Sequence, residues 1–340
     1  MKIGTWESTE PWCYIIAEIG SNHDNDLEHA LEMIRLAAEA GADAVKFQSF
    51  TAKTLQSKMN WNGDQPIPSP QFDALAQVEL DDTWLETLAE RANRYGVDFL
   101  STPFSEEAAD RLVQLGVPAF KVASGDLTHL PLLEHLGRVG LPIILSTGFS
   151  YLAEVEEALK VIHNAGCNDV ALLHCVGNYP PEFGELNLNA IKTLAIAFER
   201  PVGLSDHSPG SVAPLAAYAL GARIIEKHLT SDRRRPGPDH PYALEPDEFA
   251  NLVKGLRNLE AAMGNGRKVP QVTEEGAINW GRRALYTAQV INEGTVITRD
   301  QIKVVRPALS GLPPRDLSRV LGRTTRRKLP ADYPLDLNDL

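Results

Sequence analysis

Long apolar runs, paired cysteines and surplus positive charge are all missing from this 340-residue chain, and each absence narrows what it can do. No apolar run approaches the roughly 20 residues that a membrane helix needs. The N-terminal MKIGTWESTEPW lacks the apolar core of a signal peptide. The three cysteines, Cys13, Cys167 and Cys175, are odd in number and form no C-x-x-C pair, which suits reduced thiols in a cytoplasm better than a disulfide framework. A net charge of −12 argues against nucleic acid or an anionic membrane as the main partner, although a pocket can still be locally basic for a small anion. The first apolar run is not followed by a G-x-G-x-x-G turn, so a dinucleotide-binding sheet lacks its fingerprint.

What is present is alternation. Short apolar runs (YIIAEIG at 14–20, AVKFQSF at 44–50, DFLSTPF, AFKVAS, PIILSTG, VALLHCV, PVGLSD and ARIIEKH) are separated by segments of helical spacing. Those helices are read at 27–40, 83–95, 106–115, 132–139, 152–165, 188–197, 212–220 and 247–263, and a long Pro-, Asn- and Gly-rich loop at 51–81. Eight strands alternating with eight helices is the count of an α/β (β/α)8 TIM barrel, here residues 1–263. An open doubly wound sheet is the alternative, but eight is the number that closes. Residues 264–282 are polar and Gly-containing and read as a linker. Residues 283–340 carry short β-like runs and turn signals, and read as a small, mostly β domain.

The polar residues sit where a barrel places its chemistry, at the carboxyl ends of the strands. His207 and His228 end two neighbouring apolar runs joined by a helical segment, with Ser205, Asp206, Glu226 and Lys227 beside them. Such a pair can hold a divalent metal; the alternative is two satisfied histidines. Strand one ends in Glu18, Ser21, Asn22 and His23. Strand two carries Lys46 and Gln48 on one side, strand three Ser101 and Thr102, strand four Lys121, Ser124 and Asp126, strand five Ser146 and Thr147, and strand six His174. Lysines are rarely buried without a partner. Two of them among hydroxyls suggest a phosphate site, and a structural ion-pair network with Glu18 and Asp126 is the alternative.

The motifs AEIGSNHDNDLEHA, GADAVKFQSF, FLSTPF, AFKVASGDLTHLPLL, ILSTG, LLHC, VGLSDH, IIEKH and RPGPDH resemble those of the sialic acid synthases. RRALYTAQVINEGTVIT and VVRPALSG resemble the antifreeze-like (SAF) domain that ends those chains. The resemblance implies condensation of phosphoenolpyruvate with an N-acyl-hexosamine, such as N-acetylmannosamine, to a nine-carbon 2-keto-3-deoxy acid with release of phosphate. It implies a divalent metal, manganese or magnesium, on His207 and His228, and Glu18 near the reacting centre. It assigns Lys46, Thr102, Lys121, Ser124, Ser146 and Ser205 to phosphoenolpyruvate, and Gln48, Asp126, Tyr179, Asp239 and Arg306 to the sugar. It also implies a cytoplasmic, domain-swapped homodimer in which the small domain covers the partner's site. Two places depart from the family pattern: Val176-Gly177 stand where many members carry a polar pair, and residues 57–76 match no familiar pattern. A Schiff-base aldolase using Lys121 or Lys46, and a carbohydrate-binding protein without catalysis, are the competing readings.

Overall fold

A computed structural model describes all residues, 1–340. The chain forms two compact units, Met1–Gly264 and Asn265–Leu340.

The first unit is an eight-stranded parallel barrel. Its strands are β1 (Tyr14–Glu18), β2 (Ala44–Ser49), β3 (Asp98–Pro103), β4 (Phe120–Val122), β5 (Ile143–Ser146), β6 (Val170–Cys175), β7 (Val202–Asp206) and β8 (Ile224–His228). The helices between and after them are α1 (Leu27–Glu39), α2 (Leu85–Arg94), α3 (Glu106–Leu115), α4 (Leu130–Val139), α5 (Leu152–Asn164), α6 (Ala190–Phe198), α7 (Val212–Ala219) and α8 (Pro246–Met263). Parallel ladders join β3-β2-β1-β8-β7-β6-β5-β4 in that order, so only the junction of β3 with β4 lacks a paired ladder.

Helix boundaries follow local chemistry. Asp26 caps α1 by accepting from the His29 amide, and Ser105 caps α3 by accepting from the Ala108 amide at 3.2 Å. Each cap contributes about 1 kcal/mol. Gly116 ends α3 at φ 81°, a left-handed conformation that a side chain would strain.

Period-two alternation divides the strand residues between two cores. Ile15, Ala17, Val45, Phe47, Leu145 and Leu172 face the helices. Tyr14, Ile16, Ala44, Leu100, Ile144, Leu173 and Ile224 fill the barrel interior, and Ile3 and Trp6 of an N-terminal hairpin pack into the same cluster. Gly203 belongs to this inner layer because a Cβ there would stand 2.3 Å from the Ile224 carbonyl and 2.5 Å from Leu173.

The 51–81 loop is more structured than its composition suggests. It holds helix Ala52–Leu55, an antiparallel hairpin of Met59–Asn62 with Gln65–Pro68, and helix Pro70–Ala76. The hairpin strands are exposed throughout, so no burial periodicity marked them. The stretch read as a linker also carries a 3-10 segment, Val272–Ala277, and a helical turn, Ile278–Gly281. The second unit pairs Ala284–Thr287 with Ile302–Val305 around Leu285, Ile291, Ile297, Val320, Leu329 and Leu335.

Asp206 and Lys227 are register partners on β7 and β8, and both are buried. Lys227 Nζ donates to Asp206 Oδ2 at 2.6 Å and to the Ser208 carbonyl. Asp206 Oδ1 accepts from the Ser208 amide at 3.0 Å. This pair fixes the strand ends from which His207 and His228 project. Lys227→Met leaves the Asp206 carboxylate buried and unpaired, and should lower stability by about 3–5 kcal/mol in urea unfolding. Adding Asp206→Leu should recover part of the loss. Unchanged stability in Lys227→Met would contradict the ion-pair account.

Candidate active site

The alternation that fills the lower barrel with apolar side chains places polar ones at its upper end. Counting by twos from Ile16, Ala44, Leu100, Ile144, Leu173, Gly203 and Ile224 gives Glu18, Lys46 and Gln48, Thr102, Ser146, Cys175, Ser205, and Glu226 and His228. With Lys121 and Ser124 from β4 and its loop, they line a cavity of about 390 Å³. Register places Glu18 beside both Lys46 and His228, and Ser205 beside Glu226.

The floor is a buried network of two lysines and two carboxylates. Lys46 Nζ lies 2.7 Å from Glu18 Oε2 and 3.8 Å from Glu226 Oε2, and donates to Thr102 Oγ1 at 3.1 Å. Lys121 Nζ donates to Ser146 Oγ at 2.7 Å and to the Val122 carbonyl at 2.9 Å, and lies 3.8 Å from Glu226 Oε1. Ser205 donates to Glu226 at 2.9 Å and Gln48 to Glu18 at 2.7 Å. Burial opposes the charge on Lys46, but Glu18 and Glu226 outweigh it and hold its pKa above the usual lysine range. At Lys121 burial wins over Glu226 and pulls the pKa down. Burial also opposes the charge on Glu226, yet Lys121 and Lys46 hold that carboxyl low. Burial, reinforced by Glu226, pushes Glu18 up to about 7 against the pull of Lys46. A floor with Glu18 protonated is net positive, and therefore suited to an anion.

His207 and His228 stand above this floor with ring centroids 5.3 Å apart, and Tyr179 packs on His207 at 4.1 Å. The Val176 carbonyl lies 3.1 Å from His207 Nδ1. A carbonyl only accepts, so this contact puts the proton on Nδ1 and leaves Nε2 with a lone pair. His228 is buried with its Nδ1 unpartnered, and burial lowers its pKa to about 3, so the ring is neutral. Burial opposes a charge on His207, but Cys175 and the Val176 carbonyl outweigh it and raise its pKa. In their neutral forms the two rings present free nitrogens that fit a divalent cation. No group of three or more His, Cys, Asp or Glu converges as ligands, so water and substrate would complete the sphere.

Asp239 closes the β8 side. It accepts from Ser21 Oγ at 2.9 Å and Tyr242 Oη at 2.7 Å, and lies 3.7 Å from His228 Nδ1. Its loop is held by buried His240, which contacts Thr230 Oγ1 at 2.7 Å and Asp24 Oδ1 at 2.8 Å.

Twelve of the fourteen residues that the family resemblance assigns to the site line this cavity; Asp126 and Arg306 do not. Asp126 is partly buried with Oδ2 unpartnered, and burial pushes its pKa up to about 6. Arg306 belongs to the second unit. His174 takes the outward phase of β6, where Nε2 donates to the Leu186 carbonyl at 2.7 Å, and Cys175 takes the inward place. Of the two departures from the family pattern, Gly177 lies under the exposed ring of Phe149. A Cβ there would fall 1.9 Å from that ring in this rotamer, so a side chain at 177 would require the ring to swing aside. Asn178 donates to Glu185 at 3.3 Å and does not line the cavity. From the unfamiliar segment 57–76 and the residues just after it, Leu75 and Val78 reach the cavity. Glu226, Cys175, Phe50 and Phe104 also line it without having been given a role. All four lie two residues from a neighbour already assigned or packed inward, the one signal that marks them.

A floor carrying two buried lysines beneath a histidine pair, at the carboxyl ends of a (β/α)8 barrel, has the layout of a barrel-enzyme active site suited to an anion. The chain matches the NeuB family over residues 33–268 and the SAF domain over 282–340. It is 38% identical to the N,N'-diacetyllegionaminic acid synthase of Legionella pneumophila, over 95% of this chain and 93% of that one. Identity to the enzyme of that name from Campylobacter jejuni is 39%, over 94% and 97%. The crystal structure of the N-acetylneuraminic acid synthetase from Leptospira borgpetersenii superposes with a TM-score of 0.73 at 35% identity, over 82% of this chain and 94% of that one. The protein belongs to the NeuB family, the sialic acid synthases, and carries their SAF domain.

The raised Glu18 pKa has a stability signature. Below pH 4.5 the carboxyl is protonated in both folded and unfolded chains. As pH rises from 4.5 to about 7 the unfolded chain ionises first, so the stabilisation present at low pH is lost across that window. Glu18→Gln should therefore gain stability relative to wild type over that range in urea unfolding of the ligand-free protein. A difference that stays flat from pH 4.5 to 7 would contradict the raised pKa.

Proposed function

We propose that the protein condenses phosphoenolpyruvate with an N-acyl-hexosamine, N-acetylmannosamine or a relative, to a nine-carbon 2-keto-3-deoxy acid and inorganic phosphate. The observation that carries this reading is the cationic floor, where Lys46 and Lys121 are buried among Thr102, Ser124, Ser146 and Ser205. That set matches an anion bearing a carboxylate and a phosphate. In the reaction, C3 of the enol phosphate bonds to the aldehyde carbon of the open-chain sugar, and the aldehyde oxygen takes a proton. Water adds to C2 and gives up one proton, and collapse to the ketone breaks the C2–O bond to the phosphate, which leaves with the proton of the C2 hydroxyl, so the proton taken by the aldehyde oxygen balances the one released by water. Glu18, holding its proton near neutrality beside Lys46, is placed to exchange it at the reacting centre. A divalent metal on His207 and His228, manganese or magnesium, would polarise the aldehyde oxygen.

Two substitutions test the binding roles. Lys121→Ala removes a charge-assisted contact of about 1.5–3 kcal/mol, so phosphoenolpyruvate affinity should fall roughly tenfold or more by calorimetry. Unchanged affinity rejects the assignment. Exhaustive chelation should abolish turnover and manganese should restore it, while His207→Ala and His228→Ala should weaken manganese binding. Full activity after chelation contradicts the metal. The lowered pKa of Lys121 is what an amine nucleophile needs, so the aldolase reading has one observation in its favour. Borohydride with a keto substrate should leave Lys121 unmodified; a trapped adduct supports the aldolase instead.

The reading includes a cytoplasmic homodimer whose small domains complete each other's sites. The three cysteines are free. Around the barrel mouth, Trp61, Ile67, Phe149, Tyr151, Tyr179 and Phe183 are exposed on the loops after β2, β5 and β6, an apolar rim of the kind that protein contact covers. Arg306, in the small domain of a second copy, can make a forked bond to a sugar oxygen. Mixing inactive Arg306→Ala with inactive Glu18→Ala should restore up to one site of two per heterodimer. No recovery after verified subunit exchange contradicts the shared site.

A further inference from the structure

The two cavity histidines turn the same ring nitrogen toward the protein. His207 sets Nδ1 against the Val176 carbonyl at 3.1 Å. His228 sets Nδ1 toward Asp239 Oδ2 at 3.7 Å, and that nitrogen is buried without a hydrogen-bond partner. The His228 ring lines the cavity, so Nε2, across the ring, is the nitrogen left to face it. A separation of 3.7 Å is too long for a hydrogen bond, yet it still decides where the ring proton sits. A lone pair on Nδ1 would point at a carboxylate oxygen and be repelled, whereas an N–H there is attracted. In the neutral ring Nδ1 therefore carries the proton and Nε2 the lone pair, as the Val176 carbonyl arranges for His207.

Asp239 can set that proton only if its carboxylate is itself held. Ser21, on the loop after β1, donates to Oδ2 at 2.9 Å, and Tyr242, on the loop after β8, donates to Oδ1 at 2.7 Å. The Tyr242 ring also packs on His228, with centroids 5.0 Å apart and planes at 66°. One side chain thus fixes both the carboxylate and the plane of the imidazole. Tyr242 is buried and does not line the cavity, so it reaches a bound molecule only through these two neighbours. We propose that Tyr242 and Asp239 are positioning residues, a hydroxyl–carboxylate–imidazole relay that keeps the His228 proton on Nδ1 and aims the Nε2 lone pair at a divalent cation shared with His207. The inference rests on the metal of the condensation reading and adds the residues that orient its ligand. It gives Asp239 a duty separate from any sugar contact.

The relay is read first in the metal-free protein, by nitrogen-15 NMR of labelled histidine, with His228→Gln identifying the His228 signals. The wild type should show the Nδ1–H tautomer at His228, and Asp239→Ala should shift it to Nε2–H. Manganese titration followed by electron paramagnetic resonance, without substrates, reads the consequence. Kd for manganese should rise roughly tenfold or more in Asp239→Ala, and by less in Tyr242→Phe. Asp239→Asn, whose amide oxygen can still accept from Nδ1, should recover part of the loss. Phosphoenolpyruvate affinity of metal-free Tyr242→Phe should stay at the wild-type value, because the lysine floor is untouched. An Nε2–H tautomer at His228 in the wild type overturns the inference, as does manganese affinity that neither Asp239→Ala nor Tyr242→Phe changes; both leave the condensation reading intact. A wild type with the Nδ1–H tautomer that binds no manganese overturns the metal reading itself, and with it the use assigned to the relay.

Discussion

Burying Lys46 and Lys121 inside a barrel is the constraint on which the rest of this structure depends. Each ammonium loses its water, and only nearby carboxylates and hydroxyls make that tolerable. Glu226 stands 3.8 Å from both lysines, and Glu18 stands 2.7 Å from Lys46. The strands must hold register so that these groups meet, which is why the layer below them is close-packed to the point of requiring Gly203. Behind the same strand ends, the Asp206–Lys227 pair spends a second buried charge on fixing β7 against β8.

That arrangement makes the site chemically lopsided. Its floor is cationic and raises the Glu18 pKa to about 7, its β7–β8 side carries two imidazoles of which His228 is neutral with a free Nδ1, and its β2–β3 side is lined by Phe50 and Phe104. An anionic partner below and a largely uncharged one above would meet at the level of the histidines, in a cavity of about 390 Å³ that suits small molecules.

Much of this was legible in the sequence because barrel strands are short and regular. The eight apolar runs gave the strand count, and polar residues at their ends gave most of the floor. Phase was harder. His174 and Cys175 are adjacent, and the run VALLHCV is apolar on both faces, so nothing local says which one points inward. Glu226 was visible beside His228, but its role as counter-ion to two lysines depends on ladder register between distant segments. The hairpin at Met59–Asn62 and Gln65–Pro68 buries nothing, so its exposed Trp61 and Ile67 read as loop.

The central claim is that a carbon of phosphoenolpyruvate is joined to the sugar above this floor. Phosphoenolpyruvate labelled with carbon-13 at C3, incubated with N-acetylmannosamine and manganese, follows that carbon directly by NMR. The account predicts that the label becomes a methylene coupled to the former aldehyde carbon of the sugar, with one inorganic phosphate released per label transferred. Label appearing instead as the methyl of pyruvate, or remaining in the enol phosphate while the sugar is bound, would contradict it.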